Sequence, residues 1–140
     1  MANVIPKEVK KEQIDGYIAE TWKAVLLDNT FTYVTGTYIT YADLLASGTE
    51  IVGTGYTAAG AAVTKSAWGA GSGYTGTTNA MLDATDVAWT TATFAAARFV
   101  AVYETTGGLI RAIYDFGADK SVTTGTFTVE WNASGLIKIS

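Results

Sequence analysis

The chain has 140 residues, a net charge of −4, and neither cysteine nor histidine. Disulfide and thiolate chemistry are therefore excluded. So are Ser–His and Cys–His triads, because the commonest general base and metal ligand is missing. One domain with a real core is the expectation at this length.

Charge is concentrated at the start. Lys7, Lys10, Lys11 and Lys23 stand against Glu8, Glu12, Asp15 and Glu20. The chain beyond is sparsely charged and rich in Thr, Ala, Gly and aromatics. This break defines an N-terminal arm, residues 1–21, and a β-body, residues 22–140. Beyond Lys23 the cations are Lys65, Arg98, Arg111, Lys120 and Lys138, and acids outnumber them. A nucleic-acid backbone needs clustered Lys and Arg, so no nucleic-acid partner is expected. The start, Met1 to Pro6, has neither the cationic nor the apolar run of a signal peptide. No apolar stretch reaches ~18 residues, so no membrane partner is expected.

In chain order, residues 2–6 read as extended and Pro6 suits a helix start. Lys7 to Ile18 reads as a short helix with Val9, Ile14, Tyr17 and Ile18 as its apolar set. Gly16 costs it about 1 kcal/mol. So short a helix is marginal alone, and the arm is expected to order on docking to a neighbour. Thr21 to Leu27 reads as a strand. Phe31 to Thr35 and Thr37 to Tyr41 alternate apolar and hydroxyl residues about Gly36, a period-2 signal for two more. Ala42 to Ala46 fits one helical turn ended by Gly48, and Glu50 to Gly53 a strand.

Residues 67–77 hold Gly69, Gly71, Gly73 and Gly76 and read as a surface loop. Trp68 and Tyr74 in it are candidate contacts with a partner. Asn79 to Asp83, Val87 to Thr90, Ala95 to Glu104, Leu109 to Phe116, Thr126 to Trp131 and Leu136 to Ile139 read as strands. Gly107-Gly108 marks a hairpin, and Asn132 to Gly135 another turn. Trp22, Trp89 and Trp131 are expected in the core. Roughly eight to ten short strands with regular turns predict an all-β fold: an antiparallel β-sandwich or small barrel, jelly-roll or Ig-like, with an extended or short-helical arm.

Candidate chemistry is sparse. Gly71-Ser72-Gly73-Tyr74-Thr75-Gly76 matches G-x-G-x-x-G, and Gly53-Thr54-Gly55-Tyr56-Thr57-Ala58 its alanine variant. Neither opens a helix or precedes a suitably spaced acid, so turns of a β-protein are expected and no cofactor is. The pairs Asp83/Asp86 and Asp115/Asp119 could serve glycoside hydrolysis or hold a cation. Their places at strand ends point instead to backbone capping. No catalytic residue and no metal site are expected. Arg98 and Arg111 lie in apolar strands, either solvated or paired with an acid across a subunit boundary.

Five segments carry a resemblance. They are Gly53 to Gly60, Leu82 to Trp89, Ala97 to Tyr103, Ile113 to Asp119 and Gly125 to Trp131. In this order they resemble small virion structural proteins of tailed bacteriophages, classed as capsid decoration (cement) or minor head proteins. The resemblance covers residues 22–140 and carries no catalytic residues. It implies a non-enzymatic protein on the capsid surface, made in the bacterial cytoplasm. The implied partner is the major capsid protein and the implied assembly a homotrimer. Docking of the arm through Val4, Ile5, Val9, Ile14, Tyr17 and Ile18 would add apolar burial at about 25 cal/mol per Å². The competing expectation is a receptor- or glycan-binding module of a head fibre or tail, with Trp68 and Tyr74 as contacts.

Overall fold

The computed structural model describes residues 7–66, 80–132 and 135–139. Its elements in chain order are α1 (Lys7–Ala19), β1 (Trp22–Asp28), α2 (Tyr41–Ser47), β2 (Ala61–Val63), β3 (Lys65–Ser66), β4 (Ala80–Ala84), β5 (Val87–Glu104), β6 (Ile110–Val129) and β7 (Ile137–Ile139). The fold is all-β, with every strand pair antiparallel. Two compact units form among the described residues: 21–63 with 87–129, and 7–20 with 64–66, 80–86, 130–132 and 135–139.

The larger unit is an open four-stranded sheet in the order β2-β1-β5-β6. β1 is hydrogen-bonded on both sides, and Ala24, Val25, Leu26 and Leu27 are all fully buried. Both faces of this strand are thus covered, and a near-continuous apolar run is what such a strand requires. On one face Val25, Leu27, Ala101 and Tyr103 pack with Phe31 and with Leu44 of α2.

α2 is short but well terminated. Thr40 and Asp43 form a reciprocal capping box, and Gly48 closes the helix in the left-handed conformation at φ 68°. The segment from Phe31 to Tyr41, read from sequence as two strands, is a loop as far as Thr40, which bridges Leu109, and Tyr41 opens α2. The cause lies at its ends. The Asp28 carboxylate accepts from the Thr30 N–H and hydroxyl and turns the chain. β1 already has neighbours on both sides, so no edge of it is left for another strand.

β5 and β6 merge strands that sequence reading separates. Thr91, Ala96 and Thr124 have positive φ (54°, 59° and 46°) at or beside slips in the β5–β6 register. Each bulge adds an unpaired residue and resets the alternation of faces, so one long strand reads as two short ones.

The segment 49–60 is pressed onto this sheet, backbone against backbone. It pairs with the end of β1, where the Ile51 N–H donates to the Leu26 carbonyl at 3.0 Å. It bridges β5 at Thr54–Thr93 and meets β1 again at Gly60. A Cβ on Gly53 would lie 2.3 Å from the Thr93 carbonyl oxygen, and one on Gly60 1.9 Å from that of Ala24. The G-x-G-x-x-A run is therefore a close-packing device within the chain.

In the smaller unit β3, β4 and β7 form a second sheet in the order β3-β4-β7. α1 packs along β4, and Ile14 is fully buried. The arm's helix is ordered on its own chain, where the sequence suggested ordering only on a neighbour. The local reason is that β4 offers a surface on which its apolar set can rest, which an isolated short helix lacks. Trp22 and Trp89 are buried as expected. Trp131 is half-buried instead, its indole N–H donating to the Thr85 carbonyl at 3.0 Å.

Two glycines separate steric exclusion from backbone strain. Gly60→Ala, blocked by the Ala24 carbonyl at φ 75°, should destabilise by ~3 kcal/mol or more. Gly36→Ala, with open space at φ 81°, should lose only ~1 kcal/mol. Urea unfolding of both variants checks the ranking.

Candidate functional site

The main polar cluster of the larger unit is built around Glu50. It lies opposite Leu27 through an isolated bridge, which carries its carboxylate beside α2 and the 53–60 turn. One carboxylate oxygen accepts the Tyr41 hydroxyl at 2.7 Å. The other accepts the Tyr56 hydroxyl at 2.9 Å and the Ala59 N–H at 2.8 Å. The Tyr56 oxygen accepts the Leu26 N–H at 3.1 Å. Tyr103 stacks on Tyr41 with centroids 4.5 Å apart and donates to the Ala59 carbonyl at 2.8 Å. Burial, reinforced by the Glu50 carboxylate, pushes the Tyr41 phenol well above the ordinary range. Burial also raises Tyr56, opposed by the Leu26 N–H and reinforced by Glu50. Both phenols are locked as protonated donors, so this cluster holds structure together and is poorly suited to proton transfer.

Glu104 performs a similar task in the β5–β6 turn. It accepts the N–H groups of Thr106 (2.8 Å), Gly107 (2.7 Å) and Leu109 (3.2 Å). Burial alone would raise its carboxyl; the three donors and the Arg111 charge outweigh that and hold it below the ordinary glutamate range.

The third cluster is a surface fork. Arg98 grips Asp115 with Nε and a terminal nitrogen at 2.6 and 3.2 Å, and lies 3.8 Å from Asp119. Asp119 also accepts the Asn29 amide at 2.6 Å. The hydrogen bond from Arg98, followed by that from the Gly117 N–H, holds the Asp115 carboxyl below its usual range. Arg98 is thus paired within its own chain. Asp83 and Asp86 accept the backbone N–H groups of Ala84 (2.8 Å) and Trp131 (3.0 Å), the capping role expected of them.

Beside the fork runs an open groove of about 640 Å³, lined by Tyr33, Tyr38, Ile39, Phe99, Leu109 and residues 110–113 and 115. Tyr33 and Ile39 are 56% and 57% exposed and Leu109 40%. An apolar wall beside a sheet edge can take an extended segment.

Of the contacts expected from sequence, Val9 is exposed, Ile14 buried, and Tyr17 and Ile18 half-buried. Val4, Ile5, Trp68 and Tyr74 lie outside the described residues. Sequence reading missed Glu50 and the groove. The groove has a signal in the sequence, the apolar alternation about Gly36, but that pattern reads equally as strands. Compared with known proteins, the chain matches no family model, no curated protein and no solved structure. Among the described residues no helix is long and apolar enough to cross a membrane.

Glu50→Gln leaves a single acceptor for two phenols and an N–H, and should lower stability by about 1–3 kcal/mol in denaturant unfolding. Glu104 contributes stability that is present above the ordinary carboxyl value of 4.5 and lost as pH falls through its depressed folded value. The stability gap between wild type and Glu104→Gln should therefore narrow below about pH 4.5, as urea titrations across pH would read.

Proposed function

We propose that this protein is a non-enzymatic structural component of a tailed-bacteriophage virion, a decoration (cement) protein that binds the major capsid protein and stabilises the shell. It acts on the capsid surface after synthesis in the host cytoplasm, as a homo-oligomer for which the resemblance implies a trimer. In this reading the open sheet is part of an antiparallel sandwich or small barrel.

The observation that carries the reading is where the acids are used. Glu50 and Glu104 are turned onto internal donors, Asp83 and Asp86 onto backbone N–H groups, and Asp115 onto Arg98. Away from the Arg98 fork, the open end of the long β5–β6 hairpin offers a neutral surface: Thr91, Thr93, Thr123, Thr124, Thr126 and Thr128 are exposed. A neutral surface allows many identical copies to sit close together without strong repulsion. Val52, 92% exposed on the 49–60 segment, and Val9 on α1 are apolar points available to a shell. Copies that bind only the assembled shell stabilise it by mass action.

Purified protein mixed with empty shells should give density at one repeated capsid position and raise the temperature of shell disassembly. Val9→Asp combined with Val52→Asp should reduce occupancy while leaving the fold intact by circular dichroism. Shells without added density, together with hits on a glycan array, would overturn this reading in favour of a receptor- or glycan-binding module.

A further inference from the structure

The groove beside the Arg98 fork is preformed. Phe31, 3% exposed, holds two of its walls: its ring lies 5.0 Å from that of Tyr38 and edge-on at 5.3 Å from that of Phe99. The loop that supplies Tyr33 and Ile39 is tied at two points. The Thr37 N–H donates to the Val34 carbonyl at 3.1 Å, and the Asp43 carboxylate accepts the Ile39 N–H at 3.0 Å. The groove's volume of about 640 Å³ falls within the roughly 300–1,000 Å³ of small-ligand sites, which are mostly apolar with a few placed polar groups.

Three features narrow the occupant. The first is the state of β6. Its register with β5 slips between the Tyr103–Ile110 and Val102–Ala112 pairs, and again between the Phe99–Asp115 and Ala97–Lys120 pairs. Such slips break the evenly spaced row of backbone groups that an added strand would need. Side chains, not a ladder, must therefore hold the ligand. The second is charge. Arg111 and Asp115 line the groove with opposite signs, and both are already engaged, Arg111 near Glu104 and Asp115 by Arg98. A charged ligand would gain from one and lose to the other, so a neutral ligand is favoured.

The third is what stays unengaged. Tyr33 is 56% exposed and, among the described residues, makes no ring contact and no hydrogen bond. The Tyr38 hydroxyl likewise has no hydrogen-bond partner among them. On Asp115, Oδ1 accepts both Arg98 Nε and the Gly117 N–H, but Oδ2 accepts one Arg98 nitrogen alone. One lone pair on Oδ2 is left for a further donor.

We propose that this groove binds a neutral sugar, its ring stacked on Tyr33 and its hydroxyls shared between the Tyr38 hydroxyl and Asp115 Oδ2. A pyranose presents C–H groups on its face, and their slight positive charge suits the negative face of an aromatic ring. Around its rim it presents hydroxyls that donate and accept, which suits a phenol that does both and a carboxylate that accepts. The same ligand covers the exposed apolar groups of Ile39 and Leu109. The site goes beyond shell binding and does not rest on it, since it uses neither Val9 nor Val52.

The experiment titrates the full chain with three neutral sugars, chitotriose, maltotriose and lactose, and with a proline-rich peptide, by saturation-transfer NMR and calorimetry. At least one sugar should bind with a Kd of about 1 mM or tighter. Its affinity should not change with added salt, because no net charge is paired. Tyr33→Ala should weaken it at least about tenfold, and Tyr33→Trp, which keeps a ring face, should retain it. Tyr33 is exposed, so both variants should match wild type by circular dichroism. No binding of any of the three sugars at about 10 mM, undiminished binding by Tyr33→Ala, or binding of the peptide in place of the sugars would each overturn the site. Tyr33→Ala should also leave shell occupancy as in wild type. Sugar binding with shell density supports both readings, and sugar binding without it supports this one alone.

Discussion

Leu26 is the middle of a strand with no free side, yet its N–H is accepted by a side chain. The Tyr56 hydroxyl accepts that hydrogen bond and donates its own to Glu50. This is the joint on which the larger unit depends. The two backbone segments beside β1, residues 49–51 and β2, leave a gap where the chain arches away toward β5. A gap in a buried ladder would strand an N–H group, at a cost comparable to a lost hydrogen bond. Tyr56 closes it. Glu50 then ties the arch to α2 through Tyr41 and to the turn through Ala59. The glycines at 53 and 60 let this arch lie directly on the sheet, where any side chain would collide with a carbonyl.

The same economy explains the electrostatics. The chain carries an acidic balance of −4, but many of its described carboxylates face N–H groups or phenols. A carboxylate with several donors is worth more inside than at the surface, because a charged acceptor roughly doubles the strength of a hydrogen bond. The cost is chemical. Such a group is already saturated, and its raised phenolic partners stay protonated far into the alkaline range.

How far the sequence was legible follows from the range of each signal. The turn of α2 is readable from its local stop, Gly48, whereas Thr40, half of its cap with Asp43, reads as part of a strand. The hairpin between β5 and β6 was readable from Gly107-Gly108, although the Glu104 staple that holds it was not. The lengths of β5 and β6 were not readable. Thr91, Ala96 and Thr124 sit in left-handed conformations that their side chains do not advertise, and each hides a bulge. Phe31 to Tyr41 has the period of a strand, but β1 is already flanked and only residues 39–41 reach the start of β6, a fact of topology that no local pattern contains. Glu50 reaches Tyr103's partner Ala59 and the Leu26 ladder through contacts set by the arch, so its role was invisible before the arch was known.

An open sheet has a cost that a closed one avoids. Its edge presents unpaired backbone groups, and edges left flat and apolar pair indiscriminately. This chain shortens the problem from both ends of the early half of β6. Residues 39–41 cover the start, and the bulge at 116–119 breaks the run that follows. The register slip at Arg111 interrupts the stretch between them as well. An edge broken this often offers another strand no long flat run to pair with, so an open sheet can limit edge-to-edge pairing through the irregularity of its own last strand.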